Sequence, residues 1–382
     1  SSITKLTIGP NVDKIPARAF YNCSGIDTIN IPRNVTSVGS YAFYGCSGAK
    51  SIKIGDGVTS LGTYAFYNCY GATELTIGKG VTSIPTYCFN GCSKLLSVTI
   101  GEDVTSIGDY AFQNCTGLKT LIYNAVDCAI SNNSSYTPFY NLSSITKLTI
   151  GPKVNKIPSY AFYNCSGIDT INIPRNVTSI GKSAFYGCGG AKSIKIGDGV
   201  TSLGTYAFYN CYGATELTIG EGVTSIPSYC FYACSSLPSV TIGEGITSIG
   251  DYAFSGCSGL KSISNLRMMP QSINTNVFNG LTIANITLKV PQECMDLYRS
   301  SSNWNSFNIT NATFNVTLFN RNGSNNIKES IIVYTLMPEP LNPVRPEGCY
   351  FYGWYTDSIS WSENSKWDFN NSKVNKNIEL YA

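Results

Sequence analysis

A cysteine recurs every 23 residues along most of this chain. The series runs Cys23, Cys46, Cys69, Cys92, Cys115 and then Cys165, Cys188, Cys211, Cys234, Cys257. The stretch 46–68 also returns at 188–210 with a single change, Ser47 to Gly189. Self-similarity at a short fixed period is typical of a solenoid, in which each repeat is one rung that stacks on the next.

The interval between the two cysteine series contains one rung with four extra residues. Cys115 and Cys165 are 50 residues apart, and Leu142 occupies the cysteine column between them, which divides the interval into 27 and 23. The sequence SSITKLTIGP at Ser1 recurs at Ser143, an offset of 142 residues. We therefore predict one unbroken array made of two duplicated blocks, 1–142 and 143–284.

Each rung contains a short stretch in which polar and apolar residues alternate, such as Ser-Ile-Lys-Ile at 51–54. Such alternation predicts a β-strand with one buried and one exposed face, and stacked rungs would join these strands into a parallel sheet. After a Gly or Pro turn, a second apolar pair, Val58 and Leu61, predicts another short strand on the opposite wall. The closing motif Tyr-Ala-Phe-Tyr-x-Cys is too short for a stable α-helix and is predicted as one helical turn.

The pattern A-F-x-x-C-x-x-L-x-x-I-x-I-P-x-x-V-T-S-I-G, as in residues 42–62, resembles the BspA-type leucine-rich repeat family. The resemblance implies a curved right-handed solenoid, carried mostly by secreted and surface-anchored bacterial proteins with roles in adhesion and binding. The predicted fold is thus mainly β: a curved leucine-rich-repeat solenoid of about 13 rungs of 23 residues, with a parallel sheet and short helical turns, followed by a small β-grasp-like domain.

Residues 286–309 resemble the closing unit of that family through Val290, Pro291, Tyr298 and Trp304. A repeat array needs such a cap because its last rung would otherwise expose an apolar face. We predict a solenoid at 1–288, a C-terminal cap at 289–311 and a β domain at 312–382. We also expect residues to precede Ser1.

From Phe314 onward the 23-residue period is absent, and short strands surround a proline-rich connection at Pro338–Pro346. The motifs Gly353-Trp354-Tyr355, Trp367-Asp368-Phe369 and Leu380-Tyr381-Ala382 make this segment similar to the Listeria–Bacteroides B-repeat of internalin-like surface proteins. The insert around 358–366 is longer than that pattern usually allows. The resemblance implies a compact β-grasp-like spacer, and since such modules come in strings, we expect the native chain to continue.

The composition excludes several classes of function. A net charge of +3 without a basic run does not indicate a nucleic-acid-binding protein, and no apolar run reaches the 18 residues of a membrane span. The chain has no histidine, which removes Ser–His and Cys–His dyads and the commonest zinc ligand. Paired carboxylates such as Glu102 and Asp103, or Glu221 and Glu244, are interpreted as solvated turn residues. We predict no enzymatic activity, no cofactor and no metal site.

The 15 cysteines leave two interpretations open. A secreted protein with this many cysteines is expected to form disulfides. However, in-register cysteines of neighbouring rungs could be bridged only with a strained dihedral angle, and a small thiol fills a rung as well as alanine does. We favour mostly free, slowly reactive thiols. A bridge remains open among the cysteines outside the main column, which are Cys88, Cys128, Cys230, Cys294 and Cys349.

Two surfaces are candidates for binding a partner. One is the row of tyrosines that follow the core phenylalanines, namely Tyr21, Tyr44, Tyr67, Tyr163, Tyr186, Tyr209 and Tyr232. The other is the outer face of the main sheet, with Thr28, Asn30, Ser51, Lys53, Glu74, Thr76, Ser97 and Thr99, repeated as Thr170, Asn172, Ser193, Lys195, Glu216, Thr218, Ser239 and Thr241. The alternatives are that each tyrosine only packs on its neighbour and that the hydroxyl-rich wall is a solvated face without a ligand.

The sequence therefore predicts a cell-surface or secreted binding module for a host or microbial surface protein or glycan. We expect a monomer without a nucleic-acid partner or membrane insertion. A bacterial source is favoured because a glycan on Asn22, in the sequon Asn-Cys-Ser, would disrupt the core. Two alternatives are an architectural stalk or spacer of a larger surface protein, and a carbohydrate-active enzyme.

Overall fold

The computed structural model describes residues 3–131, 133–319, 327–332, 366 and 378–381, with side chains for 3–131, 133–312 and 366. The chain divides into two compact units. The first comprises Ser1–Val240, Gly245–Leu260 and Ile273–Leu281, and the second comprises Thr241–Glu244, Lys261–Ser272 and Thr282–Ala382. Most of the repeat array therefore lies in the first unit.

Each rung contributes one longer strand, as predicted. In Thr28–Ile31 the two isoleucines are buried while the threonine and asparagine are exposed, which is the two-residue alternation of a strand with one buried face. Within sheets of three or four hydrogen-bonded strands, neighbours pair in parallel and in register, so that Thr28 lies beside Ser51 and Ser51 beside Glu74. The longer strands are Thr28–Ile31, Ser51–Ile54, Glu74–Thr76, Ser97–Ile100, Thr120–Tyr123, Lys147–Ile150, Thr170–Ile173, Ser193–Ile196, Glu216–Thr218, Ser239–Ile242, Ser262–Asn265, Thr287–Val290 and Asn308–Asn311.

A two-residue strand on the second apolar pair forms another parallel ladder, again as predicted. Threonine side chains reinforce it: the hydroxyl of Thr36 donates to the carbonyl of Asp13 at 3.0 Å, and that of Thr59 donates to the carbonyl of Thr36 at 3.2 Å. The threonine column therefore links successive rungs. The short strands are Lys14–Ile15, Ser37–Val38, Ser60–Leu61, Ser83–Ile84, Ser106–Ile107, Lys156–Ile157, Ser179–Ile180, Ser202–Leu203, Ser225–Ile226 and Ser248–Ile249.

The Tyr-Ala-Phe-Tyr-x-Cys segment differs from the predicted helical turn, because it consists of consecutive tight turns. Tyr41 adopts a left-handed φ of 61°, which ends any helical path at that residue. Its amide donates to the carbonyl of Thr63 in the next rung at 3.0 Å, and Phe43 donates likewise to Ala65 at 2.7 Å. The backbone is thus satisfied by the neighbouring rung rather than by a helix.

The core of the first unit is a continuous column of phenylalanine rings. Phe43, Phe66 and Phe89 are fully buried, and their ring centroids are 5.4 and 5.3 Å apart with nearly parallel planes. Ala42 and Cys46, also fully buried, fill the space beside the rings. Large and small residues thus fill fixed columns side by side, as expected of a close-packed protein interior.

The rung with extra residues keeps its place in the sheet. Thr120–Tyr123 pairs in register with Ser97–Ile100 on one side and with Lys147–Ile150 on the other. Leu142, in the cysteine column, is buried. The prediction of an unbroken array is therefore confirmed here, with the additional residues accommodated between the strands.

In the second unit, residues around the end of the array enclose two aromatic side chains. Tyr298 and Trp304 are fully buried; the Tyr298 hydroxyl donates to the carbonyl of Arg267 at 3.0 Å and Trp304 Nε1 to that of Gln271 at 2.7 Å. These two hydrogen bonds hold both side chains against residues 267–271, and the assignment of 289–311 as a cap stays a prediction. The helical elements among the described residues are 3-10 helices at Thr275–Phe278, Ile283–Asn285 and Gln292–Cys294 and an α-helix at Met295–Ser300.

The C-terminal strands of the second unit form a mixed sheet. Thr313–Phe319 pairs antiparallel with Ile327–Ile332 and parallel with Ile378–Tyr381. The other predicted features of this segment lie outside the described residues, namely Cys349, the Pro338–Pro346 connection, Gly353-Trp354-Tyr355, most of the 358–366 insert and Trp367-Asp368-Phe369.

Candidate binding surface

The tyrosines are held on a rigid backbone because each rung is bonded to the next through the turn segment. Amides of this segment donate alternately within the rung, as from Tyr44 to the carbonyl of Tyr41 at 3.2 Å, and to the next rung, as from Gly45 to the carbonyl of Tyr67 at 2.8 Å. Successive regular rungs therefore place their tyrosines in similar positions, one above the other.

The seven predicted tyrosines all belong to one column, which we call the first tyrosine ladder. The rings of Tyr21, Tyr44 and Tyr67 stack with centroids 4.8 and 4.9 Å apart and interplanar angles of 9° and 8°. A second run comprises Tyr140, Tyr163, Tyr186, Tyr209 and Tyr232, with spacings of 6.4, 4.7, 4.6 and 4.6 Å. Between the two runs the column is occupied by Asn90 and Gln113, whose amides hydrogen-bond at 3.0 Å.

Sequence reasoning missed a second column of tyrosines, which lies three residues before the first. In this second tyrosine ladder, Tyr41, Tyr64, Tyr87 and Tyr110 stack at 4.8, 4.8 and 5.0 Å, and Tyr206, Tyr229 and Tyr252 stack at 4.8 and 4.8 Å. The signal was present in the first tyrosine of each Tyr-Ala-Phe-Tyr motif. Tyr160 also lies in this column, but it does not stack on the run that begins at Tyr206, because the rung between them has Ser183 in the column.

The two ladders contact each other, and together we call them the tyrosine face. Tyr41 and Tyr44 lie 5.8 Å apart with a 40° tilt, and Tyr64 and Tyr67 lie 5.4 Å apart with a 53° tilt. The interior tyrosines are half-buried, and Tyr21 is 44% exposed. Because each interior ring face lies against a neighbouring ring, its exposed part is the ring edge and the phenol hydroxyl.

The tyrosine face is electrically neutral at physiological pH. Partial desolvation, together with repulsion between the phenolates of Tyr209 and its neighbours Tyr186 and Tyr232, raises the pKa of Tyr209 to about 12. Two cations lie beside tyrosines of the second ladder: the Arg18 guanidinium is 5.4 Å from the Tyr41 centroid, and the Lys182 ammonium is 5.9 Å from that of Tyr160. These ring faces therefore already carry cation–π contacts.

The hydroxyl-rich wall is arranged as predicted. Its candidate residues Thr28, Asn30, Lys53, Glu74, Lys195 and Glu216 are all exposed. Register places Asn30 beside Lys53, while Ser51 and Ser193 are half-buried. The side chains of this wall are short apart from the lysines and glutamates, so it offers a polar surface with little area for apolar contact.

The column cysteines are core residues with a hydrogen-bonding role. Among the described residues the cysteines are free and buried. The thiols donate to phenylalanine carbonyls of the preceding rung, as from Cys69 Sγ to Phe43 at 3.2 Å. Burial raises the pKa of the Cys165 and Cys211 thiols to about 12. This geometry agrees with the interpretation as free, slowly reactive thiols.

The carboxylates considered for acid–base chemistry lie on the surface. Glu102, Asp103, Glu221 and Glu244 are exposed turn residues, and Glu102 pairs with Lys153 at 2.8 Å. In the part of the chain that the structure describes, no group of three or more His, Cys, Asp and Glu side chains could hold a metal ion. Within the same residues, no helix has the length and apolar character required to cross a bilayer.

Comparison with known proteins identifies both parts of the chain. Residues 13–136, 132–261 and 224–336 match the family model of the BspA type leucine rich repeat region, in six copies. Residues 314–382 match that of the Listeria-Bacteroides repeat domain. No curated protein matches the chain.

Solved structures similar to this chain include leucine-rich repeat proteins of two bacteria. One from Bacteroides ovatus is 24% identical, with a TM-score of 0.49 over 81% of this chain and 84% of that chain. A leucine rich cell surface protein from Faecalibacterium prausnitzii is 26% identical, with a TM-score of 0.36 over 82% of this chain and 92% of that chain.

Proposed function

We propose that this chain, which belongs to the BspA-type leucine-rich repeat family, is a non-catalytic binding module that contacts its partner through the tyrosine face. Members of the family are bacterial surface proteins, which suggests a protein-binding or adhesion role at the cell surface or outside the cell. The single observation that carries the proposal is the pair of adjacent, half-exposed tyrosine ladders.

The tyrosine face is better suited to binding than the hydroxyl-rich wall. Tyrosine supplies a large apolar ring and a hydrogen-bonding hydroxyl at low entropic cost, and it is enriched among residues that dominate binding energy. The stacked rings here are already ordered before binding, which lowers that cost further. Serine and threonine, which make up most of the wall, rarely contribute large binding energies.

The stacking also bears on the chemistry of the partner. Sugars pack on open aromatic faces, whereas the interior rings here are covered on their faces by rings at 4.6–5.0 Å. The exposed parts of these tyrosines are the ring edges and the phenol hydroxyls. The hydroxyls can donate hydrogen bonds to carbonyl groups and accept them from amide groups. A polypeptide partner fits this surface better than a glycan does.

A binding screen tests the proposal. The full chain is assayed by surface plasmon resonance against extracellular-matrix proteins, mucins and a glycan array. A variant with Tyr44, Tyr67, Tyr186 and Tyr209 changed to Ala is compared with a control in which Tyr70 and Tyr212 are changed to Ala. The control tyrosines are 50% and 55% exposed but belong to neither ladder.

The expected result is binding to a protein that is lost in the ladder variant and retained in the control, with both variants folded by circular dichroism. Binding that instead depends on Lys53, Glu74, Lys195 and Glu216, changed together to Ala, would transfer the site to the hydroxyl-rich wall. Absence of binding to every probe would contradict the proposal and favour an architectural spacer.

A further inference from the structure

The tyrosine face places phenol rings at unusually short separations over many residues. Successive rings of the first ladder are as close as 4.6 Å, between Tyr186 and Tyr209 and between Tyr209 and Tyr232. Within a rung the two ladders approach to 5.4–5.8 Å, as between Tyr64 and Tyr67 or Tyr206 and Tyr209. Interior phenols of both ladders therefore have two or more neighbouring phenol rings, as Tyr209 has in Tyr186, Tyr206 and Tyr232.

We propose that the tyrosine face is a site of oxidative modification, at which a one-electron oxidant made from hydrogen peroxide by a haem peroxidase couples neighbouring tyrosines into dityrosine. The inference rests on the ring geometry and does not depend on the proposed binding function.

The coupling reaction conserves atoms and electrons. Each of two tyrosines loses one electron to the peroxidase and one proton to solvent, which leaves two phenoxyl radicals. The radicals combine through a carbon–carbon bond between the ring carbons ortho to each hydroxyl, and the two hydrogens on those carbons move to the oxygens as the phenols re-form. One hydrogen peroxide is reduced to two waters for each dityrosine, so the protein becomes lighter by two hydrogen atoms.

Proximity favours coupling inside one molecule. The rungs are held in register by backbone bonds such as Phe43 to Ala65 at 2.7 Å, so neighbouring phenols remain adjacent while a radical persists. A group held beside its reaction partner reacts far faster than one that must meet it by diffusion. Rings of the tyrosine face are also half-exposed, which gives the oxidant access to them.

The tilted pairs within one rung are the preferred coupling partners. The rings of a biaryl are twisted relative to each other, and Tyr206 with Tyr209 and Tyr229 with Tyr232 are already tilted by 49° and 46°. The stacked pairs between rungs provide a path along which a radical can exchange until it meets a second one.

Two tyrosines of the same chain provide an internal comparison. Tyr70 and Tyr212 are 50% and 55% exposed, more than any member of the ladders. They are not part of the stacks. If exposure governs the reaction, these two react first and yield links between molecules; if proximity governs it, the half-buried ladder tyrosines react and yield links within a molecule.

The experiment treats the full chain, at low protein concentration, with horseradish peroxidase and limiting hydrogen peroxide. Dityrosine is measured by its fluorescence in the monomer fraction from gel filtration, and linked peptides are mapped by mass spectrometry. The test variant has Tyr44, Tyr67, Tyr186 and Tyr209 changed to Phe, which preserves the ring stack and removes the phenols. Its control has Tyr70 and Tyr212 changed to Phe.

We expect monomers with links that join ladder tyrosines three residues apart or one rung apart. The ladder variant should lose most of the fluorescence yield, while the control should retain that of the unaltered chain. Links found only between molecules, links mapping to Tyr70 or Tyr212, or an undiminished yield in the ladder variant would overturn the inference. The mapping on the unaltered chain decides the question even if a variant does not fold.

Discussion

The side-chain oxygen of Asn22 fills the space that a Cβ atom on Gly45 of the next rung would need. Both residues have left-handed backbones, with φ of 58° and 68°. The same relationship joins Asn68 to Gly91 and Asn164 to Gly187. At these three contacts the asparagine side chain occupies the space of the Cβ atom that the glycine of the next rung lacks.

Gly45→Ala is expected to destabilise the solenoid by about 1–3 kcal/mol, since alanine is strained at this φ and its Cβ would displace Asn22. Gly101→Ala is the matched control, because nothing lies within 4 Å of a Cβ built there. The midpoint of thermal unfolding, followed by circular dichroism, provides the measurement. Equal shifts for the two variants would show that the Asn–Gly contact has no role.

Phe66→Ala is expected to cost about 3–5 kcal/mol, because it opens a cavity in the ring column between Phe43 and Phe89. Tyr70→Ala, at a position 50% exposed, should change stability by less than about 0.5 kcal/mol. Urea unfolding of both variants measures the difference. A Phe66→Ala variant as stable as Tyr70→Ala would mean that the column carries little of the packing energy.

The buried thiols are expected to react slowly in the native protein. The described cysteines are buried, and the raised pKa of those such as Cys165 leaves almost no thiolate at pH 8. A thiol reagent should therefore modify few cysteines before denaturation and approach the full 15 after it. A count near zero in denaturant, without added reductant, would instead indicate disulfides.

Stability is expected to fall as the pH rises above about 9. The pKa of Cys165 and of Cys211 is raised from 9.0 to about 12 in the fold, so between these values the unfolded chain has lost protons that the native chain retains. Each such thiol lowers the free energy of unfolding by about 1.4 kcal/mol per pH unit across that window, and has no effect below it.

Urea midpoints at pH 7, 8.5 and 10, in the presence of reductant, test this dependence. A variant with Cys165 and Cys211 changed to Ala should show a shallower fall between pH 8.5 and 10 than the unaltered chain. Midpoints that are the same at all three pH values would contradict the assignment of raised thiol pKa values.

Much of the fold could be predicted because the repeat turns sequence columns into spatial contacts. Once rungs stack in register, residues 23 apart are neighbours, so the pairing of Thr28 with Ser51 and the stacking of Tyr44 on Tyr67 follow from the period alone. Burial followed from the alternation of apolar and polar residues within each strand. The position of the irregular rung followed from Leu142, which keeps the cysteine column intact.

The turn segment could not be predicted in the same way, because local and inter-rung hydrogen bonds compete for its backbone. The spacing of Tyr-Ala-Phe-Tyr is compatible with a helical turn. The hydrogen bond from the Tyr41 amide to the carbonyl of Thr63, in the next rung, instead accompanies a left-handed backbone conformation at Tyr41. The interlock of Asn22 with Gly45 follows from that same conformation.

The sequence by itself therefore determined the rung, its register, its buried columns and the presence of the first tyrosine ladder, since all of these depend on periodicity. Only the tertiary structure decided how the turn backbone runs. With it came the second ladder beside the first, the tilt between Tyr41 and Tyr44, and the covering of the interior ring faces. These features depend on contacts between rungs, and the sequence of a single rung does not specify the angles between the rings in those contacts.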